Sequence, residues 1–216
     1  MLSMLEEVVL LAVDEKTGHL ESPRGFGVAY ALAGAVFFDL ALARKIDTDT
    51  DEIRIVDTNP SANAIWNRVL DEMRRRPEIR TVRDWIEALF RRNDDLEGEA
   101  LASLIAQGIL RLEKSKRLWI IDVERFPIVN DRPRKHVKAR LAQAILTNEI
   151  PDTRDIMLVS IAEACGLLPY VLSEPQLEAR RERIQVLCNL ETISRKVADA
   201  IGGLDATLRQ APLRLS

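Results

Sequence analysis

The sequence predicts a mainly α fold, a single globular helical domain around a buried apolar central helix with a small exposed β-hairpin. Three observations carry this expectation. The stretch from Val28 to Ile46 opens with a long run whose one charged group is Asp39, with no polar face at a 3.6-residue period, so as a helix it has to be wrapped by others. Amphipathic patterns with spacings of three and four recur through the rest of the chain, separated by capping residues. Only one place, around Lys114-Ser115-Lys116, shows two apolar, alternating segments on either side of a short polar turn.

A bilayer-spanning reading of Gly25–Ala43 is disfavoured. A mid-span Asp costs about 2.5–3.5 kcal/mol on the insertion scale, and the many Ala and Gly residues offset little of it. The small residues Ala31, Ala33, Gly34 and Ala35 instead allow close approach of neighbouring helices. With 216 residues and 47% hydrophobic composition, the chain can bury one good core. Domain organisation is read as a helical domain over 1–204 and a loosely held tail over 205–216. Net charge −3 supplies no general attraction to nucleic acid or anionic lipid, so any anion binding has to be local. Cys165 and Cys188, far apart in helical patterns, read as reduced core thiols of a cytoplasmic protein. Glu6 and Glu7 sit where a secretory signal would be basic and then apolar.

Taken in order, Ser3 and Glu6 form a capping box for a helix over Ser3–Ala12 with Leu5, Val8, Val9 and Ala12 inward. A turn at 14–18 leads to an extended piece through Leu20, and Pro23, Gly25 and Gly27 lie in the loop before the central helix, which Arg44 and Lys45 close. A strand is expected at 52–56. Asn59-Pro60 then reads as the start of a helix through Met73, ending in the solvated run Arg74-Arg75-Arg76. Thr81 with Asp84 caps the next helix, and another carries Leu96, Ala100, Leu101 and Leu104 to a C-terminal Gly108. The hairpin strands are expected at 109–113 and 117–122. Beyond them come a basic-headed helix with Val137, Leu141, Ala144 and Ile145 inward, a nearly all-apolar helix over Asp152–Leu168 lying against the central one, a helix from Ser173 through Cys188, and a last helix over Thr192–Ile201 stopped by Gly202-Gly203.

No catalytic constellation stands out. His19 and His136 are isolated, no metal-ligand spacing or nucleophile elbow is present, and the lone Gly25-x-Gly27 lacks a preceding strand and a third glycine. The chain is therefore read as a non-enzyme with no catalytic residue, metal or cofactor. Asp39 is expected to pair with an Arg or Lys in the core.

The order of several short motifs resembles the Golgi phosphoprotein 3 family (the GPP34 domain), in a bacterial-type member. They are Leu5-Glu6-Glu7-Val8 with Leu10-Leu11, Gly34 with Asp39-Leu40-Ala41-Leu42, Val69-Leu70-Asp71-Glu72, Thr81-Val82 with Trp85-Ile86, Gly108-Ile109-Leu110, and Arg154-Asp155 leading to Gly166-Leu167-Leu168. The resemblance implies a helical domain with an exposed apolar hairpin that aids membrane association and self-association into homo-oligomers. It also implies phosphatidylinositol 4-phosphate binding and an adaptor role toward membrane-enzyme tails. The family's headgroup residues are not matched. The Trp place holds Arg24 with Phe26 nearby, an Arg place holds Ala33, and the family's Arg pair falls on Asp94 and Glu97. Arg91 and Arg92 are the nearest cations to that pair, so Arg24, Phe26, Arg91 and Arg92 are the headgroup candidates.

The expected function is a peripheral, anionic-lipid-binding adaptor, cytoplasmic or at the inner membrane face. Lys114, Lys116, Arg117, Leu118, Trp119 and Ile120 form its membrane or self-association hairpin, and its protein partner is not specified by sequence. Lys114, Lys116 and Arg117 near an anionic surface contribute about 1 kcal/mol each. The alternatives are a protein–protein scaffold without lipid and a winged-helix-like DNA binder. For the last, the helix before the hairpin carries Asp94, Asp95, Glu97 and Glu99, which repel phosphates, so nucleic acid is not an expected partner.

Overall fold

The apolar stretch forms α2 (Gly27–Leu42), and thirteen of its sixteen residues are buried. The computed structural model describes residues 2–23, 25, 27–48, 52–92, 95–117 and 121–210; at 115–117, 121–123, 205 and 208–210 it describes the backbone alone. Around α2 pack α1 (Met4–Ala12), α4 (Val82–Arg91), α7 (Thr153–Cys165) and α10 (Thr192–Gln210), with α3 (Ala64–Arg75) and α5 (Leu96–Ala106) at its margins. A second layer places α6 (Arg132–Leu146) on α1 and α7, and α9 (Arg181–Leu190) on α7 and α10, preceded by the short α8 (Glu174–Ala179). Strand structure among the described residues is two small antiparallel pairs, β1 (Ile46–Asp47) with β2 (Arg54–Ile55), and β3 (Glu113–Arg117) with β4 (Ile121–Arg125). No helix among the described residues is long and apolar enough to cross a membrane.

The capping boxes at Ser3/Glu6 and Ser173/Gln176 form, as does the Thr81 cap with its Asp84 bond. α1 is not one-sided as its pattern implies, because all nine of its residues are buried, Glu6 and Glu7 included. α2 ends at Leu42 rather than Ile46. The Lys45 N–H donates to the Leu40 carbonyl at 2.8 Å and the Arg44 N–H to the Ala41 carbonyl at 2.9 Å, a Schellman-type stop that puts Arg44 at φ 54°. Lys45 then turns away from the helix end, its ammonium bonding Asp57 and the Asn59 carbonyl. Gly108 and Gly166 hold the same left-handed position after α5 and α7.

Other boundaries differ from the sequence expectation as well, among them the end of α7, which is Cys165 rather than Leu168. The strand expected at 52–56 is only Arg54–Ile55. α3 begins at Ala64, not Pro60, since Asn63 accepts from the Trp66 N–H, while both ends of the Asn67 amide hold the Ser61 backbone in a loop. The helix expected from Ser173 to Cys188 is broken at Arg180, whose guanidinium donates to the Leu146 carbonyl; Arg183 donates to Ala144 and Glu149 carbonyls. α9 thereby satisfies the C-terminal carbonyls of α6, which has no basic residue of its own in its last turn. α10 runs through Gly202 and Gly203 to Gln210, with Leu204 buried past the glycines and Gly203 close to the Arg83 guanidinium; residues 211–216 of the expected tail lie outside the described residues.

α10 crosses α2 at Gly34, where an added Cβ would lie 2.5 Å from Val197 Cγ1. Gly34→Ala is expected to destabilise the fold by about 1–3 kcal/mol through overpacking, and Val197→Ala to recover much of this in the double variant, measured by urea denaturation. In the same assay Arg44→Gly is expected to stabilise by about 1 kcal/mol, by removing a Cβ from a left-handed position.

Candidate functional site

The hairpin is longer than its named strands and its register is continuous. Leu110 bridges Ile128, the Arg111 N–H donates to Pro127, and β3 pairs with β4 from Glu113↔Arg125 to Arg117↔Ile121. Lys114-Ser115-Lys116, expected as the turn, is therefore mid-strand. The expected first strand pairs at the root instead, because residues 126–129 return alongside it. The connection between strands is Leu118-Trp119-Ile120, which lies outside the described residues.

This register changes the electrostatics of the element. Lys114 faces Glu124 with an ion pair of 2.9 Å, Lys116 is the register partner of Asp122, and Glu113 is the register partner of Arg125. Opposite charges directly across a ladder stabilise it; the arms carry four cations against three anions, and Arg117 alone among these charged residues has an apolar partner in the register. At the root Val129 is 61% exposed and Leu112 is partly exposed.

The headgroup candidates are placed by a different contact. The Phe90 and Tyr30 rings stack at 4.4 Å and Ile86 lies against Gly34, so α4 runs antiparallel to α2 and its end brings Arg91 and Arg92 to the N-terminal end of α2. Arg24 and Phe26, which precede α2 in the sequence, lie outside the described residues. Arg91 is engaged by Glu87 and Arg92 by Glu72 at 2.6 Å, an interaction that holds the Glu72 carboxyl below its ordinary range. A phosphate would have to displace a carboxylate at each. The arginine run after α3 is solvated and locally paired, Arg74 with Asp71, Arg75 with Glu72 and Arg76 with Glu78.

A buried ionic cluster joins α1, α2, α6 and α7. Asp39 accepts from the Met4 N–H at 3.0 and 3.1 Å, and Arg154 Nη1 stands 3.5 Å away. Arg154 Nη2 also holds the Leu2 carbonyl at 2.8 Å and Glu7 at 3.1 Å. Arg140 bonds Glu7 at 2.7 Å and Asp155, a pairing that keeps it charged. Burial pushes Asp39 up to about 6, the Met4 N–H and Arg154 opposing it. On its outer side the cluster meets a cavity of about 460 Å³ lined by His136, Arg140, Arg154, Glu149, Asp152 and Asp155. Sequence reasoning anticipated a partner for Asp39 but not the roles of Glu7 and Arg140. The available signal was that Glu7 and Arg154-Asp155 sit at the heads of the two helices flanking the apolar one.

Among the described residues no group of three or more His, Cys, Asp or Glu side chains is arranged to hold a metal. Cys165 is buried and Cys188 half-buried, and burial pushes the Cys188 thiol up, away from thiolate chemistry.

A family model described as Golgi phosphoprotein 3 (GPP34) matches residues 4–204, from the first residue of α1 into α10. The chain belongs to the Golgi phosphoprotein 3 family. Among its relatives are two proteins named vacuolar protein sorting-associated protein 74. The one from Eremothecium gossypii is 25% identical over 214 residues, covering 83% of this chain and 64% of the relative. The one from Schizosaccharomyces pombe is 25% identical over 170 residues, covering 69% of this chain and 49% of the relative. The chain thus spans between half and two thirds of the length of these curated relatives. In this Golgi phosphoprotein 3 domain, Gly34, Asp39, Glu7 and Arg154-Asp155 are packing and ion-pair positions of the core.

Removing Arg140 leaves Glu7 and Asp155 to share what remains. Arg140→Ala is expected to cost about 3–5 kcal/mol in urea denaturation, as for a broken buried pair, whereas Arg91→Ala at the surface is expected to change stability by less than about 0.5 kcal/mol.

Proposed function

We propose that this Golgi phosphoprotein 3 family member is a peripheral, adaptor-type membrane protein that meets the bilayer through the β3–β4 hairpin, without selecting the phosphatidylinositol 4-phosphate headgroup. The observation that carries the reading is the hairpin itself, whose arms set both lysines opposite acids in the register on either side of the apolar sequence Leu118-Trp119-Ile120. Family membership and the sorting function in the relatives' names support it.

The energetics follow from the register. With near-cancelling charge on the arms, the attraction to an anionic surface falls from the several kcal/mol expected for three free cations to about 1 kcal/mol, the contribution of one Lys or Arg near such a surface. A Leu or Trp side chain fully withdrawn from water contributes about 1.5–3 kcal/mol. Binding is therefore apolar first and electrostatic second. A headgroup-specific mode has no support at Arg91 and Arg92, whose guanidiniums are held by Glu87 and Glu72.

Co-sedimentation with vesicles of neutral lipid, generic anionic lipid and phosphatidylinositol 4-phosphate, across a salt series, tests this. Leu118→Ser with Trp119→Ser is expected to abolish binding to every mixture. Lys114→Ser with Lys116→Ser is expected to weaken it only severalfold, and salt likewise. Binding that vanishes in moderate salt, or that requires phosphatidylinositol 4-phosphate, would overturn the apolar mode. Absence of binding by the native chain to any vesicle would overturn the lipid reading and leave a protein–protein scaffold.

A further inference from the structure

The buried cluster holds three carboxylates, Glu7, Asp39 and Asp155, on two guanidiniums, Arg140 and Arg154. Glu7 has a close arginine nitrogen on each oxygen, and Asp155 is engaged by two nitrogens of Arg140. Asp39 accepts the Met4 N–H, but its one ionic contact is the longest, 3.5 Å, to an Arg154 already committed to Glu7 and to the Leu2 carbonyl. One negative charge is in excess in a site where Asp39 and Glu7 are 3% and 1% exposed. An uncompensated carboxylate in such surroundings is costly, and the inexpensive remedy is a proton.

We propose that this cluster is a proton-binding site, that Asp39 takes up the proton, and that the bound proton tightens the packing of α1 on α2 and α7. Of the charged groups on elements packed around Asp39, Glu7 on α1 and Arg154 on α7 face it, and Arg140 of α6 and Asp155 of α7 lie one contact further. Lys45 at the end of α2 is turned to Asp57, and Lys196 of α10 to the Thr48 carbonyl. His136, Glu149 and Asp152 line the cavity beyond the two arginines, which opens the cluster to solvent protons.

The direction of the effect follows from linkage. Burial raises the carboxyl of Asp39 to about 6 from its ordinary 3.8, and an opening of α1 that admits water to it lowers it back toward the ordinary value. The closed arrangement therefore holds the proton more tightly than the open one, so its extra stability is complete below about pH 4 and is lost as pH rises through about 6. Between pH 7.5 and pH 5 the equilibrium for opening α1 shifts about tenfold toward closed. This inference is independent of the hairpin reading.

The test is a carboxyl ¹³C titration of the native protein with hydrogen exchange of the α1 amides from pH 5 to 7.5, corrected for intrinsic exchange, alongside Asp39→Asn. Expected are an Asp39 midpoint near 6, α1 protection about tenfold greater at pH 5 than at pH 7.5 in the native protein, and no such change in Asp39→Asn. An Asp39 midpoint below about 4.5, or an equal pH response in the variant, overturns the proposal. Should Asp39→Asn fail to fold, the native carboxyl midpoint decides alone.

Discussion

A helix with no polar face has to be surrounded, and most of this architecture is the set of ways in which α2 is covered. α1, α4, α7 and α10 each supply a flank. The requirement also sets side-chain size. Where α10 crosses, the separation leaves no room for a methyl group at residue 34. Where α4 runs alongside, Tyr30 packs against Phe90, and Ile86 fills the space over Gly34. The second layer, α6 and α9, covers the outer faces of α1 and α7.

Coverage of α2 forces the one charged residue on it to be solved locally. Asp39 lies within a helix that must be dry, so its partners come from the elements that cover it, a backbone N–H from α1 and a guanidinium from α7. Arg154 in turn reaches the Leu2 carbonyl and Glu7, and Glu7 recruits Arg140. The result ties four helices through polar contacts at the place where apolar packing alone would not discriminate one helix rotation from another. Burying ions for specificity at some expense of stability is a known use of such groups.

Much of this was legible in the residues. The all-round apolarity of 28–42, the caps at Ser3, Thr81 and Ser173, and Gly108 after α5 correspond to what forms. What escaped were decisions made by distant residues. Nothing local says that α3 waits until Ala64, because the Asn67 side chain holds Ser61 from six residues on. Glycines at 202 and 203 argue for a helix end, but burial of Leu204 outweighs their propensity. At the hairpin, a period of two is equally compatible with several registers. Only the return of residues 126–129 beside 109–112 selects the one in which each lysine meets an acid. Of the candidate site residues, Arg91 pairs with Glu87 one helical turn before it, as spacing allows, whereas the commitment of Arg92 to Glu72 on α3 could not be read from spacing.

The paired charges along the hairpin also make it a ruler. A slip of two residues in one direction would set Arg111 against Arg125, and in the other would leave Lys114 opposite Phe126, so the ladder has one length at which its charges agree. From Leu110 to Arg117 that length is about 24 Å at the usual rise per residue of a strand. The root of that length is held by the helical body, with Leu110 buried and the Phe126 N–H donating to the Gly18 carbonyl.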